Sequence, residues 1–255
     1  MLRRVNLAGW SFVLLVTVLV EAGVRLFDLH DSVAAPSATF RALAEGLSSG
    51  ALPGELGTTL EAYGEGLALA VACGVALGIA IGSSRTLLDA TSVVIEFLRP
   101  IPAVALIPLA ILFLGLDTPM RRVVVAFGAV WPILVNTSYG VRGADRFLHD
   151  VARTSGVTPI GRLVRVTLPA ALPSIATGIR VGASLGLLIC VTAEFVTGTG
   201  GIGAYMHQQQ NAFQIPELYA AVVLIGMLGY LINTGLRATE SRVVFWVGEE
   251  RLADR

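Results

Sequence analysis

Six mostly apolar stretches, each about as long as a bilayer is thick, constrain this chain more than any other feature. They run roughly Ala8–Phe27, Leu56–Gly82, Leu87–Leu116, Arg122–Tyr139, Pro173–Val196 and Glu217–Arg237. A helix crossing hydrocarbon needs about 20 such residues. The short alternating segments of a membrane β-barrel are absent. Composition agrees: 55% of the 255 residues are hydrophobic and 14% are charged, against about 25% charge in a soluble domain. The expected fold is an all-α membrane protein with six transmembrane helices. Residues 1–55 hold the first span and an external loop, 56–244 a core with a polar loop at 140–172, and 245–255 a tail.

Two stretches need interpretation. The third is too long for one straight crossing and contains Pro100, Pro102 and Pro108. Proline removes a backbone donor and kinks a helix, so Leu87–Leu98 is expected to lie along the inner surface, with the crossing starting near Pro100. The first follows Arg3 and Arg4 like a signal peptide. It reads as an uncleaved span, because the small residues Ala34 and Ala35 lie far from the apolar run. Glu21 and Arg25 sit four apart within it and are placed to pair.

Charge placement sets direction. With the N-terminus inside, twelve of the eighteen basic residues fall on the inner side, as the positive-inside rule requires. Both termini are then cytoplasmic, although Arg121 and Arg122 count against it locally. All eighteen basic residues are arginine, so the lysine of a phosphate-binding P-loop is missing and any ATP must be bound by another chain. Cys73 and Cys190 lie in apolar runs and read as buried small residues. His30, His149 and His207 are scattered, and no metal site is expected. Net charge is zero, and nothing points to nucleic acid.

Small residues recur every fourth position. Gly66, Ala70, Gly74, Gly78 and Gly82 form one stripe, Ala68, Ala72, Ala76 and Ala80 a second, and Ser174, Gly178, Gly182 and Gly186 a third. Such stripes let helices approach closely in lipid, either within one subunit or between two. Gly198, Gly200 and Gly203 match a dinucleotide fingerprint, but they follow a span rather than a strand. They read as a turn into an outer re-entrant or surface segment.

The polar loop carries Arg142, Arg146, Arg153, Arg162 and Arg165. Local rules make it a helix, a turn and a short helix. Asp145 caps the first, Gly156 takes the left-handed position after it, and Thr158 with Pro159 starts the second. Pro169 and Pro173 are expected to break the chain at the membrane. Leu148, Val151, Ala152 and Ser155 share one face, suited to a partner's groove or to lipid headgroups.

Ionisable groups inside spans are functional candidates by default. Glu194 reads as a solvated mouth residue or as lining the pathway. Arg180 snorkels inward or lines it. Glu96 and Arg99 pair, or Arg99 lines an inner gate beside Pro102. Asn136 and Thr137 bond neighbouring backbones or a passing solute.

D-V-A-R-T-S-G (Asp150–Gly156) followed by V-T-L-P (Val166–Pro169) resembles the E-A-A…G…I-x-L-P signature of ABC-type importer permeases. Asp150 stands for the usual Glu and Val151 for the first Ala, while Ala152, Gly156, Leu168 and Pro169 match directly. Arg99–Gly115, Trp131–Thr137 and Ala193–Gly203 resemble segments of nitrate/sulfonate/taurine-type permeases. The resemblance implies a type I importer-permease fold whose loop is a coupling helix. Asp150, Val151, Ala152, Ser155, Gly156, Leu168 and Pro169 would then contact a cytoplasmic ABC ATPase. It further implies a homodimer in the inner or plasma membrane, an external solute-binding protein, and a small organic or inorganic anion as cargo. The chain itself would be no enzyme and would hold no cofactor. Pathway candidates are Arg99, Pro102, Asn136, Arg180 and Glu194. A stand-alone secondary transporter or channel suits the broken helices too, but leaves the Asp150–Pro169 pattern without a role. A membrane enzyme would need a reactive cluster, and Asp145, His149 and Asp150 resemble no such site.

Overall fold

The computed structural model describes residues 7–27 and 33–244. Arg3, Arg4, His30 and the 245–255 tail lie outside them. Among the described residues all regular structure is helical. The chain divides into two compact units, one of residues 1–59 with 194–227, the other of residues 60–193 with 228–255.

In the first unit, α1 (Leu7–Leu26) turns into α2 (Pro36–Ser48) through one carboxylate. Arg25 Nε donates to Glu21 Oε1 at 2.7 Å, the pairing the sequence predicts. Ser37 adds its N–H at 3.0 Å and its hydroxyl at 2.7 Å to the same side chain. Helix α3 spans Ala51–Ser83, 33 residues, and begins before the expected Leu56. Pro53 permits this because the first turn of a helix needs no intrahelical donor.

The third stretch divides where its prolines fall. Ser84 caps α4 (Arg85–Leu98) by accepting the Leu87 N–H at 3.3 Å. Pro102 is extended, a 3-10 turn occupies Ala103–Leu106, and α5 runs Ile107–Leu114. The two arms diverge by 80°. Glu96 and Arg99 are both exposed and form no ion pair, contrary to expectation.

Helix α6 (Thr118–Arg142) is the most deeply embedded element of the second unit, with Val125, Ala129, Ile133 and Thr137 fully inaccessible. Two small-residue stripes face it. A Cβ on Gly78 of α3 would lie 2.6 Å from Thr137 Cβ, and one on Gly74 would lie 2.8 Å from Ile133 Cγ2. From the other side, a Cβ on Gly178 would lie 2.9 Å from Asn136 Cβ. These stripes therefore serve packing inside one chain. The stripe Ala68, Ala72, Ala76 and Ala80 is exposed instead. Cys73 is exposed as well, while Cys190 is buried as expected.

The polar loop folds as α7 (Arg146–Thr154), α8 (Pro159–Arg162) and a π turn at Leu163–Thr167 that leads into α9 (Leu168–Thr197). The expected break at Pro169 and Pro173 does not occur, and the helical run from Pro159 to Thr197 is continuous over 39 residues. Pro169 is the second residue of α9, directly after the π turn, where the hydrogen-bond pattern is already shifted. Thr177 Oγ1 donates to the Pro173 carbonyl at 3.0 Å farther along. A glycine turn then leads to α10 (Ile202–Asn211), and α11 (Ile215–Val243) follows. Helices α3, α6 and α11 and the Pro159–Thr197 run are long and apolar enough to cross a membrane, and the bent α4–α5 pair makes up to five such elements. Helix α1, 20 residues long, occupies the place of the first expected stretch.

Candidate functional site

The loop helix α7 is held at both ends. Asp145 Oδ1 accepts the Phe147 N–H at 2.8 Å. After Ser155, the Gly156 N–H donates to the Arg153 carbonyl at 3.1 Å and the Val157 N–H to the Ala152 carbonyl at 2.9 Å. This pair of bonds is a Schellman motif, and its left-handed position is Gly156 at φ +76°. Thr158 Oγ1 accepts the Gly161 N–H at 3.1 Å, with Pro159 opening α8. Each capping residue sits where local rules place it.

Between these caps, α7 has two faces. His149 and Ala152 turn inward, and His149 Nε2 meets the buried Thr167 hydroxyl at 3.2 Å. That bond joins α7 to the π turn at the foot of α9. Leu148, Asp150, Val151 and Ser155 remain exposed, with Phe147 beside them. A groove of about 550 Å³ opens here, lined by Val141, His149, Ile160, Arg162 and Thr167 among others. The sequence offers no signal for the His149–Thr167 contact, because the two residues lie 18 positions apart in different elements.

The five pathway candidates each have their own setting. Arg99 is exposed at the end of α4, and Pro102 stands at the 80° bend. Asn136 Nδ2 donates to the Pro132 carbonyl of its own helix at 2.8 Å, rather than to a neighbouring helix. Arg180 pairs with Glu240 of α11 at 2.9 Å, so its charge is answered inside the unit. Glu194 is fully buried, which removes the reading of a solvated mouth residue.

Glu194 instead holds the glycine turn. Its Oε2 accepts the Thr59 hydroxyl at 2.9 Å and the Gly203 N–H at 3.1 Å. Thr59 Oγ1 in turn accepts the Ile202 N–H at 2.8 Å, and Glu55 Oε2 accepts the Gly201 N–H at 2.8 Å. Three successive N–H groups at the start of α10 are thus satisfied by one turn of α3 and the end of α9. A helix start carries unsatisfied donors and partial positive charge, which suits two carboxylates there. The turn is glycine-rich because Gly198, Gly200 and Gly201 have positive φ and because a Cβ on Gly201 would overlap the Glu194 carboxylate. Sequence reasoning singled out Glu194 and the glycines but missed Glu55 and Thr59, whose partners lie 146 and 143 residues away. Nearby on α10, burial raises the Tyr205 phenol above its ordinary pKa, with the Glu217 carboxylate adding to the effect.

Residues 72–241 match the family described as the binding-protein-dependent transport system inner membrane component. An ABC transporter permease protein of Methanocaldococcus jannaschii is 33% identical over 182 residues, covering 71% of this chain and 68% of the relative. A permease named for aliphatic sulfonates, from Escherichia coli, is 36% identical over 63% of this chain and 60% of its own length. A nitrate import permease of Synechocystis is 33% identical over 64% of this chain and 59% of its own. The match therefore spans less than two thirds of the sulfonate and nitrate permeases. The fold is similar to that in an inward-facing structure of the MetNI methionine ABC transporter, with a TM-score of 0.67 at 20% identity, covering 75% of this chain and 95% of that one. The matched family segment takes in Gly74, Gly78 and Gly82, the capped loop helix, and Glu194 with its glycine turn, and the chain belongs to the family of binding-protein-dependent transport-system inner membrane components, the permeases of ABC importers.

Proposed function

We propose that this chain forms the membrane pathway of an ATP-driven importer for a small organic or inorganic anion, working as a homodimer with two ABC ATPase subunits. The names of the sulfonate and nitrate relatives support the cargo class. The charge distribution supports cytoplasmic termini and a cytoplasmic α7, with a solute-binding protein delivering cargo at the opposite face.

The observation that carries the coupling role is the state of α7. It is capped at both ends, yet its Leu148, Val151 and Ser155 face is exposed. A rigid helix with an open apolar and small-residue face suits a groove in a partner. Asp150, Val151, Ser155 and Gly156 would make the contact, with the half-buried Ala152 beneath them. The His149–Thr167 bond and the unbroken helix from Pro159 through Leu168 and Pro169 into α9 would pass the displacement on. The ATPase thereby biases a two-state membrane element by differential contact. Arg99, Pro102 and Asn136 stay as candidates for the cargo route. Arg180 and Glu194 would act there through the partners that already hold them.

The test is Gly156→Asp, assayed in vesicles with ATPase and binding protein supplied. Uptake is expected to be lost while membrane level is unchanged, because bulk and charge spoil the docked helix end. ATP-dependent uptake at the unmodified rate would overturn the assignment.

A further inference from the structure

We propose that the cavity between α4 and the end of α6 is a binding site for the phosphate headgroup of an anionic phospholipid. The cavity has a volume of about 540 Å³ and is lined by Ser83, Ser84, Arg85, Leu88, Asp89 and Arg142, with Gly82. Two arginines and two serines line it, against a single aspartate. All of these residues belong to the same compact unit.

The arginines are differently prepared. Arg142 Nε donates to the Ser138 carbonyl at 3.3 Å, and its guanidinium lies 4.8 Å above the Tyr139 ring. These contacts fix the group while no described hydrogen bond uses its terminal nitrogens. Arg85 is exposed and forms no described ion pair, even with Asp89 one turn along. Arginine's forked donors match phosphate oxygens in pairs.

A lipid headgroup is favoured over a free anion by the helix that carries Arg85. Helix α4 has three stripes. Leu88, Thr91, Ile95 and Leu98 are half-buried against the protein. Arg85, Asp89, Ser92 and Glu96 form a polar stripe. Leu87, Val94 and Phe97 are exposed to 44%, 55% and 72%, with Val93 at 72% beside them. A short helix with an open apolar face and a polar edge lies in the membrane interface. The 80° bend to α5 suits that placement. The exposed Tyr139 belongs to the same zone, where aromatic rings sit at headgroup level. Acyl chains would cover the Leu87–Phe97 face while the phosphate enters the arginine cavity at the helix start. Basic pockets between spans bind headgroups in this way. The inference needs only that the chain spans a membrane, not a given cargo or ATPase.

Native mass spectrometry of the purified full chain, equilibrated with equal phosphatidylglycerol and phosphatidylcholine, tests it. Phosphatidylglycerol is expected to be retained in preference. Arg85→Ala with Arg142→Ala should lower that retention roughly thirtyfold, from the usual worth of two cations near anionic lipid. Asp89→Asn, which removes the opposing charge, should raise it, and excess inorganic phosphate should leave the lipid in place. Equal retention of the two lipids by the unmodified chain, or no change in the arginine and Asp89 variants, would overturn the proposal. Displacement of the lipid by inorganic phosphate alone would assign the cavity to a free anion. Loss of ATPase co-purification in the double variant, without any lipid preference, would assign it to a protein contact. Both of these results also overturn it.

Discussion

Glu194 Oε2 accepts the Thr59 hydroxyl at 2.9 Å across 135 residues of sequence, and neither group is accessible to solvent. A buried carboxylate is costly unless donors surround it. Its donors include Thr59 and the Gly203 N–H at the start of α10. Glu194→Ala should therefore destabilise the protein by about 1–3 kcal/mol for each donor left unsatisfied. Glu194→Gln, which keeps an acceptor oxygen, should cost less. Thermal unfolding of the detergent-purified chain checks the order, and equal melting temperatures for the unmodified protein and the alanine variant would contradict the assigned role.

Two glycines, Gly201 in that turn and Gly226 in α11, differ in environment. Gly201 has φ +92° and its Cβ would overlap Glu194, whereas Gly226 in α11 has nothing within 4 Å. Gly201→Ala should lower folded yield sharply. Gly226→Ala should leave it unchanged or raise stability by a few tenths of a kcal/mol through helix propensity. Folded yields measured by size-exclusion chromatography distinguish the two, and indifference at position 201 would count against the close approach.

Packing against α6 gives a second contrast. A Cβ on Gly78 would lie 2.6 Å from Thr137 Cβ and 2.8 Å from the Leu134 carbonyl. Gly78→Leu is expected to disrupt the α3–α6 contact and destabilise the chain by several kcal/mol, as overpacking against backbone does at its upper end, on the order of 3 kcal/mol. Ala76→Leu, on the exposed stripe two positions away, should leave the chain's own stability unchanged. A protease-resistance assay on the monodisperse protein reads this directly.

Arg180 and Glu240 are each about three-quarters covered, with side-chain exposures of 28% and 25%, and their ion pair joins α9 to α11. Reversing one charge sets two like charges together in this largely covered place. Arg180→Glu and Glu240→Arg should each reduce uptake, and the double exchange should recover most of it. Failure of the double exchange together with normal single variants would show that the pair has no structural role.

At Gly156 strain and docking can be told apart. The residue has φ +76° with nothing within 4 Å of an added Cβ. Gly156→Ala should cost on the order of 1 kcal/mol from left-handed backbone alone, with uptake largely kept. Gly156→Asp should lose uptake at comparable membrane level. Equal transport by the two variants would remove the basis for distinguishing them.

Much of the loop was legible because its rules are local. Asp145, Gly156 and Thr158 act on backbone groups within three residues of themselves, so spacing alone places them. Pro169 misled for the opposite reason: a proline's effect depends on which carbonyls precede it, and the π turn at Leu163–Thr167 alters that pattern, while Pro173 simply continues inside α9. The Glu194 site was half visible. Its glycines and the acid stand out in any reading, but Glu55 and Thr59 look like ordinary polar residues at the edge of the expected Leu56–Gly82 span.

From the sequence alone come the class of the protein, the caps of its loop helices, and the family to which it belongs. Those follow from hydropathy, caps and short motifs, whose physics operates over a few residues. Only the tertiary structure decided which small-residue stripe packs inward, that Arg180 is answered by Glu240, and that Glu194 is a buried anchor. Each depends on which helix face meets which neighbour. That choice follows from close packing of several spans at once, and no local window of residues contains it.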